Sequence, residues 1–327
     1  MSARILPALA LLALLALGRA AGAEEKVRLG YNANSARNIA SLVLHVIERK
    51  ALFANEGLAV ELVGLPGTTA MVDALDNGTV DVTGTATPYL IQAVLKGSDA
   101  AAVIGGPANA VYSLMGKAEI KTAADLKGKV VAMSTPADTI SLSTRLMLAK
   151  HGIEPNEYRT KELVGSNARA NCLTAGECDA ASLGQPEDIV LAHRGYRKLA
   201  DSLEVLPVLQ FNVLAARRSW AAQHRDTVTR LARAYGAAYK LLRNSENRNE
   251  IADLIAETTG APVEVARQIL ALYYEPERGV MPRQAEINMT GMAKVIELLA
   301  ETGQISGPLP TAERFVELRY LRAAGLQ

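Results

Sequence analysis

Six turns lie at the ends of apolar runs of strand character; serine, threonine and asparagine dominate them, and several sit where helical spacing begins. These are Tyr31–Ser35, Gly67–Thr69, Gly84–Thr87, Ser134–Thr139, Gly165–Asn167 and Gly184–Glu187. The candidate ligand-binding residues within them are Asn32, Asn34, Thr68, Thr69, Thr85, Ser134, Thr135, Thr139, Ser166, Asn167 and Gln185. Hydroxyls, amides and the free N–H groups of a helix start can hold a small anion or polar group without a charged side chain. The same residue types also serve as plain helix caps. Convergence on one cleft is what turns caps into a site, and turns at the carboxyl ends of parallel strands converge in that way. Arg37, Asp138 and Glu187 adjoin these turns, and whether they face a ligand stays open. Carboxylates in the cleft would favour an amine or a hydrogen-bond-donor ring over a sulfonate. Tyr31, Tyr89 and Tyr112 could stack on a planar ligand or pack in the core.

Catalytic patterns are missing from the sequence. Gly64-Leu65-Pro66-Gly67-Thr68-Thr69 lacks the lysine of a phosphate loop, and Gly105-Gly106-Pro107 is no dinucleotide fingerprint. Neither a Gly-x-Ser-x-Gly elbow nor a His-Glu-x-x-His helix occurs. His45, His151, His193 and His224 have no metal-ligand spacing with Cys172 and Cys178. The expectation is a protein with no catalytic residue, no metal and no cofactor.

The elements that position the turns repeat. Gly67-Thr68-Thr69, Leu75, Gly78 and Asp81 are answered 98 residues later by Gly165-Ser166-Asn167, Leu173, Gly176 and Asp179. Each copy reads polar turn, short helix, glycine turn, apolar strand, so the chain is expected to build one α/β half twice. Helices are expected over Ser35–Lys50, Thr68–Asp76, Tyr89–Lys96, Ile140–His151, Asn167–Ala175 and Glu187–His193, between strands of a mainly parallel sheet. Val111–Met115 leaves the first half and Val208–Ala215 crosses back, which makes a two-strand hinge. The tail reads as helices Ala222–Asn244, Glu246–Thr259, Val263–Tyr273, Gln284–Thr302 and Thr311–Ala323, expected to pack on lobe 1. The domain reading is 24–115 for the first part of lobe 1, 116–207 for lobe 2, and 208–327 for the return strand and helical tail. In the repeat, Cys172 and Cys178 fall opposite the apolar Ala74 and Val80. They could form a disulfide or remain two buried thiols. Replacing Thr68 or Ser166 by alanine should weaken solute binding with little loss of stability.

Arg4, an apolar run from Ile5 to Leu17 and the small residues Ala21 and Ala23 describe a secretory signal peptide over 1–23. Without Arg4 and Arg19, 33 basic residues stand against 34 acidic ones. That balance argues against nucleic acid or an anionic membrane surface as partner.

Several segments resemble the periplasmic substrate-binding proteins of ABC importers, in the nitrate, sulfonate, taurine and thiamine-precursor branch. They are Leu52–Val63, Gly78-Thr79-Val80-Asp81-Val82, Asp125-Leu126-Lys127-Gly128-Lys129-Val130, Gly176-Glu177-Cys178-Asp179-Ala180-Ala181 and Gln185-Pro186. The resemblance implies a type II periplasmic binding fold: two similar α/β lobes, a two-strand hinge and a helical C-terminal segment on lobe 1. It implies a periplasmic, monomeric protein that closes over a small polar or anionic organic solute and hands it to a permease in the inner membrane. A ligand-sensing module for a receptor is the alternative, followed by a hydrolase or pyrimidine-synthase-like enzyme. The cysteine-rich, iron-using signature of the latter is missing.

Overall fold

The computed structural model describes residues 25–33, 39–109, 111–136, 138–274 and 279–327. The expected signal segment, Asn34 and Arg37 lie outside the described residues. Ten strands form two sheets. They are β1 (Glu25–Asn32), β2 (Leu58–Leu65), β3 (Val82–Ala86), β4 (Ala100–Gly105), β5 (Ser113–Gly116), β6 (Val130–Met133), β7 (Arg159–Glu162), β8 (Ala180–Leu183), β9 (Arg197–Asp201) and β10 (Asn212–Arg217). Lobe 1 has the order β2-β1-β3-β10-β4, and lobe 2 the order β7-β6-β8-β5-β9.

The chain passes to lobe 2 between β4 and β5 and returns between β9 and β10, so each lobe receives one strand from a crossing. Both crossing strands run antiparallel to their two neighbours. The sheets are therefore mixed. Each keeps a parallel trio, β2-β1-β3 in lobe 1 and β7-β6-β8 in lobe 2.

The internal repeat is structural. Gly67 and Gly165, both at positive φ (154° and 95°), precede helices Thr68–Asp76 and Ser166–Thr174. Gly78 and Gly176 turn the chain at φ 78° and 77°. Asp81 then accepts the backbone N–H of Arg28 at 2.8 Å, and Asp179 accepts that of Val130 at 2.9 Å. A basic side chain completes each staple, Arg28 on Asp81 at 2.7 Å and Lys117 on Asp179 at 3.0 Å. One carboxylate thus pins the incoming loop to the middle strand of the parallel trio in both lobes.

Alternation within short strands divides the core of lobe 2. Val131 and Met133 join a cluster with Leu114 and Leu148 on one face, while Ala132 joins Met115, Leu173 and Leu183 on the other. Lobe 1 instead shares one large core with the tail, where Tyr235, Tyr239, Ile255, Ile269 and Leu299 meet Leu29, Val82 and Ile104. The tail does pack on lobe 1.

Several helix boundaries differ from the periodicity reading. Helix Leu42–Arg49 follows a short 3₁₀ turn, Ile39–Ser41. The first long tail helix is broken at His224 into Arg218–Gln223 and Arg225–Arg243. The expected helix from Gln284 begins only at Met289, because the backbone before it is engaged at the crossing segments. Gly105 donates to the Ala285 carbonyl at 2.8 Å, Ala108 to that of Val280 at 2.7 Å, and the Asn288 side chain caps the helix by accepting from Gly291. The approach is so close that a Cβ on Gly105 would lie 1.9 Å from the Glu286 carbonyl oxygen. The expected helix Thr311–Ala323 is interrupted too. Val316 bridges β4 at Ala102, leaving a 3₁₀ turn, Ala312–Phe315, and a short helix, Arg319–Ala323.

Candidate functional site

Helix starts from both lobes border a cavity of about 390 Å³ between them. Lobe 1 contributes Asn32, Thr68, Thr69 and Tyr89, while lobe 2 contributes Ser134, Thr135, Asp138, Ser166 and Arg169. A second cavity of about 220 Å³ adjoins it and reaches into lobe 1. The two share Asn32, Thr68, Tyr112, Asp138 and Ile140 as walls. Tyr89 and Thr135 bridge the lobes directly, hydroxyl to hydroxyl at 3.2 Å. Burial raises the Tyr89 phenol above its usual range, so it stays protonated and able to donate.

Seven of the sequence-derived candidates come together on these walls: Asn32, Thr68, Thr69, Thr85, Ser134, Thr135 and Ser166. Three do not. Thr139 is buried with its hydroxyl unpartnered, off both walls. Asn167 is exposed and accepts the Ala168 N–H at 3.0 Å. Gln185 is fully buried, with its amide nitrogen donating to Asp188 at 2.7 Å and its oxygen accepting from the Tyr273 hydroxyl. Its two ends link lobe 2 to the tail helix Val263–Tyr274. Ser166 has a structural duty as well, since its hydroxyl accepts the buried Gly184 N–H at 2.9 Å. The expectation of little loss of stability on its removal thus meets a buried backbone N–H that would lose its acceptor.

Arg169 was not among the sequence candidates, yet among the described residues it is the cationic group on the cavity wall. Its side chain is 1% exposed; Nε donates to the Ser182 carbonyl at 2.6 Å and Nη1 to that of Leu163 at 2.9 Å. Burial lowers its pKa, while Tyr112, Asp138 and Glu187 act on it through space without a hydrogen bond. A guanidinium stays charged in a protein. Two neutral carbonyls therefore orient a positive charge that, among the described residues, no bonded carboxylate neutralises. A signal existed in the repeat, because Arg169 stands at the position of Met71, an apolar place in lobe 1.

The two acidic neighbours are restrained differently. Asp138 caps helix Thr139–Lys150, accepting from the Ile140 N–H at 3.1 Å and from the Ser134 hydroxyl at 2.8 Å. Glu187 lies behind Ser166 with one carboxylate oxygen buried and unpartnered, and burial raises its pKa. Cys172 and Cys178 are free, buried thiols at the far end of the Ser166 helix. Among the described residues no cluster of metal-ligating side chains occurs, and no helix is long and apolar enough to cross a membrane.

This arrangement suits reversible capture: both lobes present polar groups to one enclosed volume, and a small guest can bond to both at once. Comparison with solved structures supports the same architecture. The fold is similar to that of the periplasmic aliphatic sulphonate binding protein SsuA from Escherichia coli, with 21% identity and a TM-score of 0.70 over 91% of this chain and 99% of that one. The alkanesulfonate-binding protein SsuA from Xanthomonas axonopodis pv. citri, bound to MOPS, gives 23% identity and a TM-score of 0.69 over 88% and 97%. The periplasmic nitrate-binding protein NrtA from Synechocystis PCC 6803 gives 18% identity and a TM-score of 0.72 over 92% and 88%. None of the curated proteins compared matches the chain. The two lobes have the fold of periplasmic binding proteins, and the family model described as NMT1/THI5 like matches residues 38–248. The chain belongs to the NMT1/THI5 like family.

Proposed function

We propose that this chain is an exported solute-binding protein that captures a small organic anion between its lobes and delivers it, chemically unchanged, to an ABC importer in the inner membrane. In this reading residues 1–23 are a cleaved signal peptide, the mature protein is a periplasmic monomer, and the lobe built on β5 to β9 closes on the rest. Arg169 is the observation that carries it. A buried guanidinium held by backbone carbonyls on a cavity wall is oriented for an anion that this chain does not itself supply. Thr68 and Ser134, on opposite walls, bring hydroxyls to the same guest. Binding groups split between lobes can act together only in the closed form, and that differential affinity drives closure.

The test uses residues 24–327 purified from the periplasm, titrated calorimetrically with sulfonates, carboxylates and nitrate. One saturable site per chain is expected, with the solute recovered intact. An anion at a hundred times its dissociation constant should add about 2.7 kcal/mol to stability. Conversion of the solute, or the absence of binding by every anion, overturns the proposal.

A further inference from the structure

Gly84 lies within β3, on the wall of the inner cavity. Its φ is outside the left-handed region, so the backbone does not require glycine there. A Cβ at this position would meet Met71 Cε at 3.9 Å and Leu214 Cδ1 at 4.0 Å, ordinary contact distances with no clash. Glycine here leaves room, as strand glycines do where a ligand approaches the backbone. Leu29, Val43, Leu44 and Phe211 continue the apolar wall around a volume of about 220 Å³. An apolar cavity of about 150 Å³ suffices for a benzene ring.

We infer that the solute is an organic anion with an apolar body, a ring or a branched chain, whose acid group meets Arg169 while its body fills the chamber bounded by Gly84, Met71 and Leu214. This rests on the capture reading above and adds the shape of the guest. Thr68, Tyr112 and Ile140 line both the polar cavity and the chamber, so the two adjoin, and in this inference a single molecule spans both. A compact oxyanion occupies only the outer, polar part. Moving a ring from water into the chamber should raise affinity roughly tenfold or more over an anion with the same head and no body.

The experiment compares benzenesulfonate with methanesulfonate, and benzoate with acetate, by calorimetry on the mature protein and on Gly84→Leu. Met71→Trp fills the same space from the facing helix and guards against a fold defect in the first variant. Gly84→Ala is the conservative control. The wild-type chain should prefer each aryl anion by about tenfold or more, and both filling variants should bring that ratio to near unity. Agreement between the sulfonate and carboxylate pairs assigns the preference to the body; disagreement in its size reports the head group. Equal affinity for small and aryl anions in the wild type, or an aryl preference that survives both filling variants, overturns the chamber assignment and leaves anion capture standing. Absence of binding by all four overturns both.

Discussion

Lobe 1 and lobe 2 reach the cleft with the same backbone plan and opposite polarity. At the repeat's spacing Met71 corresponds to Arg169 and Gly84 to Ser182. In lobe 1 the strand position is empty of side chain and a thioether faces it, which leaves an apolar chamber. In lobe 2 a guanidinium occupies the corresponding place and donates to the Ser182 carbonyl at 2.6 Å. One lobe therefore supplies shape and the other charge. A duplicated architecture can bind an asymmetric guest because its two helix starts share one geometry, whereas the residue one turn later differs between the lobes. Helix start and fourth residue, three positions on, are adjacent on one face, so both still address the cleft.

The largest expected effect comes from erasing that asymmetry. Arg169→Met gives lobe 2 the residue of lobe 1, and organic-anion affinity should fall about 30-fold or more, because truncating one partner of a buried charge pair typically costs 2 kcal/mol or more. Calorimetry measures the loss and circular dichroism checks that the lobe is folded. Affinity within about threefold of the wild type would remove Arg169 as the anchor.

A second contrast concerns the hinge. Asp188 corresponds to Leu90, which is fully buried in lobe 1. Burial raises the Asp188 carboxyl to about 6, against the hydrogen bonds from Ser113, Gln185 and the Ile189 N–H, which favour its charged form. Its folded pKa lies above the unfolded value of 3.8, so the native state holds the proton to higher pH. The stability it contributes is full below pH 3.8 and is lost as pH rises through about 6. Denaturant melts from pH 4 to 7 should show this decline, on the order of 2 kcal/mol, and Asp188→Asn should flatten it. An unchanged slope in the variant assigns the pH dependence elsewhere.

The smallest effects separate the two helix starts. Ser166→Ala leaves the buried Gly184 N–H without its acceptor and should cost about 1 kcal/mol of stability. Thr68→Ala, on the cleft wall, should cost under about 0.5 kcal/mol while weakening anion binding a few-fold. Equal destabilisation in paired urea melts would contradict the division of labour between them.

Much of the fold was legible because its signals are local. Glycines at 67, 78, 165 and 176 mark positive-φ turns, and the apolar spacing of Val43, Val46 and Ile47 marks a buried helix face. Reading failed where distant chain takes over the backbone. Residues 284 to 288 carry a helical pattern, yet the Ala285 carbonyl serves Gly105, and Val316 leaves helix to bridge β4. The site was half legible for the same reason. Thr68, Ser134 and Ser166 declare themselves as helix-start residues, but nothing near Gln185 in the sequence shows that Tyr273 and Asp188 use both ends of its amide.

The order of residues alone determined two α/β halves, their glycine turns, the repeat that matches them and the polar helix starts, since each depends on periodicity or capping within a few residues. Tertiary structure decided which turns meet, that Arg169 is buried on two carbonyls and that Gly84 opens a chamber under Met71. Burial and desolvation depend on what packs against a residue from far along the chain. The charge and the room in the cleft exist only once the lobes and the helical tail are assembled.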